Sequence, residues 1–353
     1  LVNQNEAEGQ TMTSSMRAEA GQCPQLVADA LALDGELYAE IGGALRARPP
    51  VFAATVARGS SDHAAAYAAS LFAIEAGIVT ATLSPSLITR YAARPDLSRA
   101  LVLAISQSGA SPDLIQVMQA AGHDGAVRIA IINAADSPLA CEAGFVLPQR
   151  AGLERSVAAT KSFVMTLLAI ARLTAAWTQD AALIAALAQL PDRLAAALAC
   201  DWSAGLDIMA GTERGAYVVG RGPGLAVAQE AALKLKETSN LHAEAVSAAE
   251  IQHGPRAVAD AGFPVLAFGL ADAGGEDATK LSAELAGQGV PVLLASPRDA
   301  GIGIHLPLPP PLHPLLDPIP AVLAFYGFAE AVAQMRGLDP DHPRGLRKVT
   351  QTV

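Results

Sequence analysis

The chain has 353 residues, 52% hydrophobic and 16% charged, a balance that excludes long disordered stretches and leaves room for two domains of ordinary size. A net charge of −10 repels polyanions, and no run of Lys or Arg stands ready to neutralise a phosphate backbone, so nucleic acid is excluded as a partner. The longest apolar stretch, Phe163 to Trp177, contains Arg172 and is too short to span a bilayer, and no basic segment leading into an apolar one opens the chain. A cytoplasmic protein with no membrane partner is therefore expected.

Residues 1–15 read as a leader or disordered segment: they are polar, begin without Met, and contain Met12 as a candidate start, with Met16 following. A first domain is expected over residues 16–200. It has strands at Val51 to Ala57, Val79 to Leu83, Ala100 to Ile105, Val127 to Ile132 and Phe145 to Pro148, helices between them, and a helical stretch from Ser162 to Leu198. The pattern restarts in a second domain, residues 201–338, with strands at Ala216 to Gly220, Phe263 to Phe268, Val290 to Leu294 and Ile304 to Leu306. Short β-branched runs alternating with long Ala/Leu helical patterns predict an α/β fold, one parallel-sheet unit used twice. The Pro-rich piece Leu306 to Pro320 reads as a connector, and Ala321 to Arg336 as a final helix. The tail, residues 339–353, carries Arg344, Arg347 and Lys348; it is either a solvated end or a basic arm that reaches a phosphorylated ligand. Cys23, Cys141 and Cys200 are widely spaced, which suggests neither a disulfide framework nor a metal site.

The strongest local signal is Ser106-Gln107-Ser108-Gly109-Ala110-Ser111, directly after a buried strand and before a helix that opens at Pro112. Ligands of open α/β sheets sit beyond the carboxyl ends of strands, where a helix start offers free N–H groups and a positive dipole end. Capping that helix needs one hydroxyl, and here three hydroxyls and an amide cluster, so a phosphate cradle is the preferred reading. A parallel loop, Arg58 to His63, follows the first strand. Gly220-Arg221-Gly222-Pro223-Gly224 holds the equivalent place in the second half; its G-x-G-x-G spacing departs from a dinucleotide fingerprint, and no cofactor is expected. On the helix from Leu225 to Ser239, Glu230, Lys234 and Glu237 share one face. They form either an ordinary solvent-exposed ladder or, if the face looks into a cleft, a base held beside a lysine. His253 lies before a Gly-Pro turn, at an element's edge; His242 and Glu244 are equally open to structural or functional roles.

These motifs together resemble the isomerase half of glucosamine-6-phosphate synthase, built from tandem sugar-isomerase (SIS) domains, over essentially all of residues 16–353. The resemblance rests on Arg58-Gly-Ser-Ser61, Ser106 to Ser111, Ala151-Gly-Leu-Glu154, Val157-Ala-Ala-Thr-Lys161, Glu230 to Glu237, His242-Ala-Glu-Ala245, His253-Gly-Pro255 and Pro343 to Lys348. It implies two flavodoxin-like three-layer αβα domains with a C-terminal tail closing the active site, no cofactor, and a homodimer with shared active sites. It further implies that Ser106, Gln107, Ser108 and Ser111 hold the phosphate of a small-molecule sugar phosphate, and that Ser61 and the Val157 backbone touch the sugar. Glu237 would shuttle the proton between C1 and C2 with Lys234 beside it, His253 from the neighbouring subunit would assist ring opening, and Lys348 would form a Schiff base with the keto sugar.

Ala159 departs from the family's sugar-contacting Ser. The sequence also lacks a glutaminase half with an N-terminal nucleophilic Cys, which favours a stand-alone deaminase that converts glucosamine 6-phosphate to fructose 6-phosphate and ammonium. The alternatives are a fructosamine 6-phosphate deglycase or other phosphosugar isomerase, and a non-catalytic sugar-phosphate sensor, which would not require Glu237, His253 and Lys348 together.

Overall fold

The computed structural model describes residues 13–123 and 125–348. Helices Ser15–Ala20 (α1), Cys23–Leu31 (α2) and Gly35–Ala47 (α3) precede the first sheet. Its elements are Phe52–Val56 (β1), Ser60–Glu75 (α4), Thr80–Thr82 (β2), Pro85–Thr89 (α5), Ala100–Ser106 (β3), Pro112–His123 (α6), Val127–Ile132 (β4), Pro138–Cys141 (α7) and Phe145–Pro148 (β5). Lys161–Thr178 (α8), Ala181–Leu187 (α9) and Leu190–Leu198 (α10) connect the halves. The second half runs Leu206–Gly211 (α11), Ala216–Gly220 (β6), Pro223–Ser239 (α12), Ala243–Ser247 (β7), Val265–Phe268 (β8), Ala273–Gly287 (α13), Val292–Ser296 (β9), Ile304–Pro307 (β10) and Pro318–Met335 (α14).

Every strand pairing is parallel, and the two five-stranded sheets share one order, β2-β1-β3-β4-β5 and β7-β6-β8-β9-β10. In this doubly wound order the first strand lies beside the third, and a crevice opens beyond their carboxyl ends. The expected α/β fold with one unit used twice is the fold observed. Its repetition extends to the backbone: Gly59 before α4 (φ 54, ψ −132) and Gly222 before α12 (φ 57, ψ −136) take the same left-handed turn after an arginine. The two helices so launched pack on each other, and the largest apolar cluster runs through both halves, so the sheets share one core.

Several element bounds differ from, or refine, those expected. The strand Ala243–Ser247 has a single β-branched residue, Val246, and gave no strand signal; pairing with β6, from Ala216↔Ala243 to Gly220↔Ser247, sets it instead. The final helix begins at Pro318, not Ala321, because Pro at the first turn has no N–H to lose, and the helix of the candidate base likewise begins at Pro223. The stretch from Ser162 to Leu198 is three helices, the first ended by Gln179 in the left-handed conformation (φ 57) and the second capped by Asp180, whose carboxylate accepts the Leu183 N–H at 2.6 Å. Of the segment read as leader or disordered, residues 1–12 lie outside the described residues. Ser14 caps α1 and donates to Glu330 at 3.0 Å. No single helix among the described residues is long and apolar enough to cross a membrane.

The two crevices differ. At the second, α13 starts against the loop after β8: a Cβ on Gly275 would lie 1.9 Å from the Leu270 carbonyl oxygen, so the backbones are in direct contact. Asp272 fills the helix start itself, its carboxylate accepting the Gly275 N–H at 2.6 Å. The helix terminus that remains open in the first half is here occupied by the chain's own anion. Asp272→Ala is expected to lower stability by about 1 kcal/mol, the usual worth of an N-cap, and to leave affinity for inorganic phosphate unchanged; thermal denaturation and calorimetric titration check both.

Candidate active site

A cleft of about 350 Å³ opens at the crevice of the first sheet. Its lining includes Arg58, Ser60 and Ser61 from the start of α4, the Ser106 to Ser111 loop, Gln149 after β5, Val157 and Ala159, Glu237 of α12, and Arg347 and Lys348 of the tail. The volume lies at the lower end of the range typical of small-molecule sites.

The Ser106 loop is built to offer protons. Ser106 Oγ accepts the Gly109 N–H at 3.0 Å and Ser108 Oγ accepts the Ala110 N–H at 3.4 Å, which occupies hydroxyl lone pairs and leaves each O–H free to donate. Gly109 makes the turn possible: its φ is +61°, and a Cβ there would lie 2.0 Å from Ser137 Oγ. The Ser111 carbonyl accepts the Ile115 N–H at 3.2 Å, which places Ser111 at the helix start, followed by Pro112. Hydroxyls, the end of α6 and the Arg58 guanidinium, itself bound to buried Asp113 at 2.7 Å, converge on one anion-sized region.

Opposite stands the carboxylate of Glu237, and its support is buried. Lys234, 1% exposed, donates to Glu237 Oε2 at 2.5 Å and lies 3.4 Å from Glu230 Oε1. Burial alone would lower the lysine's pKa, and the Glu230 and Glu237 charges outweigh it, so Lys234 stays charged. Burial likewise pushes Glu230 up, while the Lys234 ammonium and bonds from His63 and Ser60 outweigh that push and hold the carboxyl below the usual range. Ser60 Oγ donates to Glu230 Oε1 at 3.0 Å, and His63 Nδ1 lies 3.0 Å from Oε2. The exposed-ladder reading of this helix face is thereby excluded: α4 covers it, and only Glu237 reaches the cleft.

A second buried carboxylate, Glu154, ties the cleft's other wall together. It accepts the Thr160 N–H at 2.9 Å and the Ser162 N–H at 3.1 Å at the start of α8, the Ser162 hydroxyl at 2.7 Å and the Gln107 amide at 3.3 Å. Lys348 Nζ donates to Glu154 at 2.8 Å and to the Ser156 carbonyl at 2.7 Å, which brings the tail down on the cleft. Burial pushes the Glu154 carboxyl up, and the Lys348 charge together with these bonds outweighs it and holds the pKa below the usual range.

Of the residues singled out in the sequence, Ser61, Ser106, Gln107, Ser108, Ser111, Val157, Glu237 and Lys348 line this one cleft, and Lys234 stands directly behind Glu237. His253 does not join them: it ends a short 3₁₀ turn, Glu250–His253, and its side chain is exposed outside the cleft. Glu154, His63 and Gln149 were not singled out as site residues. Gln149 and His63 carry only the signal of a place just after a strand or at a helix start, which many residues share, and Glu154 only its membership of the Ala151 to Glu154 motif.

The repeated doubly wound sheets, with a hydroxyl-rich loop at a helix start in one crevice, define a tandem α/β class of protein with a candidate anion site. The chain belongs to the SIS domain family, which matches residues 53–176 and 212–294. It is 34% identical over 308 residues to a glutamine–fructose-6-phosphate aminotransferase [isomerizing] of Thermococcus kodakarensis, across 83% of this chain and 51% of that protein. It spans about half the length of the curated relatives it matches. A crystal structure of a candidate phosphosugar isomerase from Silicibacter pomeroyi DSS-3 superposes with a TM-score of 0.87 at 41% identity, covering 93% of this chain and 100% of that one. The C-terminal domain of glucosamine-fructose-6-phosphate aminotransferase from Francisella tularensis shares the fold, with a TM-score of 0.81 at 24% identity over 94% of this chain and 99% of that one.

Phosphate contacts bind ground and transition states alike. Replacing Ser106 and Ser108 by Ala is therefore expected to raise KM for a sugar phosphate at least about 10-fold while kcat changes less than about threefold; steady-state kinetics with an unchanged KM would refute the cradle.

Proposed function

We propose that this chain is an amino-sugar phosphate isomerase and deaminase that converts glucosamine 6-phosphate to fructose 6-phosphate and ammonium. The observation that carries the reading is one cleft in which a proton-donating loop at a helix start faces a carboxylate backed by a buried lysine. The aminotransferase relative, whose name couples fructose 6-phosphate with amine transfer, supports the choice of substrate.

In this reading the phosphate lies on Ser106, Gln107, Ser108 and Ser111, with Ser61 and the Val157 backbone against the sugar. Glu237 takes the proton from C2 of the open-chain amino aldehyde, giving a C1–C2 enolamine, and returns it to C1. The product is the C2 imine of fructose 6-phosphate, which water hydrolyses to the ketone and ammonia. Lys234, bonded to Glu237 Oε2, keeps the carboxyl group aimed for these transfers. Lys348 closes the tail over the cleft through Glu154 and reaches a substrate carbonyl as a Schiff-base amine only on leaving that partner. The labour then divides along the chain, with phosphate binding in residues 16–200, acid–base work in residues 201–338 and closure in residues 339–353.

The purified chain is expected to release ammonium and fructose 6-phosphate in equal amounts from glucosamine 6-phosphate. Tight binding of that compound with no ammonium release would contradict the deaminase.

His253 enters through a second subunit. Its exposure on a Gly-Pro turn, away from the cleft of its own chain, supports a homodimer in which each site takes His253 from the partner. In a two-fold dimer the contact is reciprocal. When the nearly inactive Glu237→Gln and His253→Ala proteins exchange subunits in equal amounts, about half of the dimers are mixed and each carries one intact site, so about a quarter of wild-type activity returns. Exchange verified by mass with no recovery would refute the shared site.

A further inference from the structure

Gln149 follows β5 and lines the cleft, yet its side chain is 2% exposed and its amide oxygen has no hydrogen-bond partner among the described residues. A buried amide left unpaired costs the desolvation of its polar atoms, so its presence calls for a partner that the folded chain does not itself supply.

The backbone that carries Gln149 is held still. The Gln149 N–H donates to the Ile132 carbonyl at 2.9 Å, continuing the β4–β5 pairing. On the other side Asn133 clamps the loop with both ends of its own amide, accepting the Ala151 N–H at 3.0 Å and donating to the Gly152 carbonyl at 2.8 Å. Between them Arg150 adopts φ +54°, an uncommon conformation for a side-chain-bearing residue, and forks onto Asp34 at 2.5 and 2.6 Å. Three independent restraints thus fix a segment whose one inward-facing polar group is unpaired. A strained, over-determined backbone presenting a free polar group is the construction of a recognition element.

We infer that Gln149 is a specificity-determining residue, whose amide hydrogen-bonds a hydroxyl of the sugar chain carried by the bound phosphate. The placement fits: β5 lies two strands from β3 in the sheet, roughly 10 Å at the usual strand spacing, so Gln149 lines the same cleft as the Ser106 loop without belonging to it. The inference rests on the proposed sugar-phosphate site, and a site that hydrogen-bonds a hydroxyl rejects ligands lacking it because its own polar group is then stranded.

Calorimetric binding of fructose 6-phosphate and of inorganic phosphate to the full chain and to Gln149→Met, which keeps length and removes both polar atoms, separates the possibilities. The inference expects fructose 6-phosphate to bind Gln149→Met about 10- to 100-fold more weakly, inorganic phosphate to bind both proteins equally, and Gln149→Glu, which retains acceptors for a hydroxyl, to recover part of the loss. Equal binding of fructose 6-phosphate by wild type and Gln149→Met overturns it, most plainly if the variant melts higher, since the amide is then only a buried cost. Weakening of both ligands alike also overturns it, because the residue then supports the loop as a whole. If wild type binds neither ligand, the sugar-phosphate site itself fails, and the inference falls with it.

Discussion

A lysine with no access to water stays charged only if carboxylates come to it, and the arrangement of this active site follows from that constraint. Lys234 is enclosed where α12 crosses α4, with Glu230 one turn before it and Glu237 just under one turn after. Glu230 is wholly enclosed as well and needs Ser60 and His63 from α4 to complete its bonding. The proposed base is thereby fixed by groups from both halves: α12 carries it, and α4, which also carries Ser61 of the cleft wall, locks its support. Separating the halves would strip Glu230 of its bonds to Ser60 and His63, so the packing of α4 on α12 and the geometry of the cleft are one structural fact.

Glu154 plays the corresponding part on the opposite wall. It joins the phosphate loop through Gln107, the first turn of α8 through Thr160 and Ser162, and the tail through Lys348. Each buried carboxylate ties together segments far apart in the chain. The second sheet shows the converse. Its crevice is filled by Asp272 and by backbone contact at Gly275, so a duplicated fold retains one open anion site.

Much of this was legible in the sequence, because it is local. A buried strand, a run of hydroxyls and a Pro-initiated helix lie within a dozen residues, and their order alone indicates a cradle at a sheet's carboxyl edge. The Glu230, Lys234 and Glu237 spacing was equally legible as a helix face, but its environment was not: the same three residues make a solvent ladder until Ser60 of α4, 170 residues before Glu230, is placed against them. Glu154 was quoted only as part of a motif, since its partners range from six to 194 residues away. The strand at Ala243–Ser247 escaped for a related reason, its composition being set by a place at the sheet edge and not by intrinsic preference.

The account stands on Glu237 as the group that carries a proton between two carbons. Its most direct test is hydrogen exchange in D₂O, followed by NMR, with fructose 6-phosphate and ammonium bound to wild type and to Glu237→Gln. The account predicts that wild type washes deuterium into C1 of fructose 6-phosphate, and that the variant, folded and binding the ligand normally, leaves C1 protiated over a time at least about 100-fold longer. Exchange at the wild-type rate in Glu237→Gln would place the base elsewhere and contradict it.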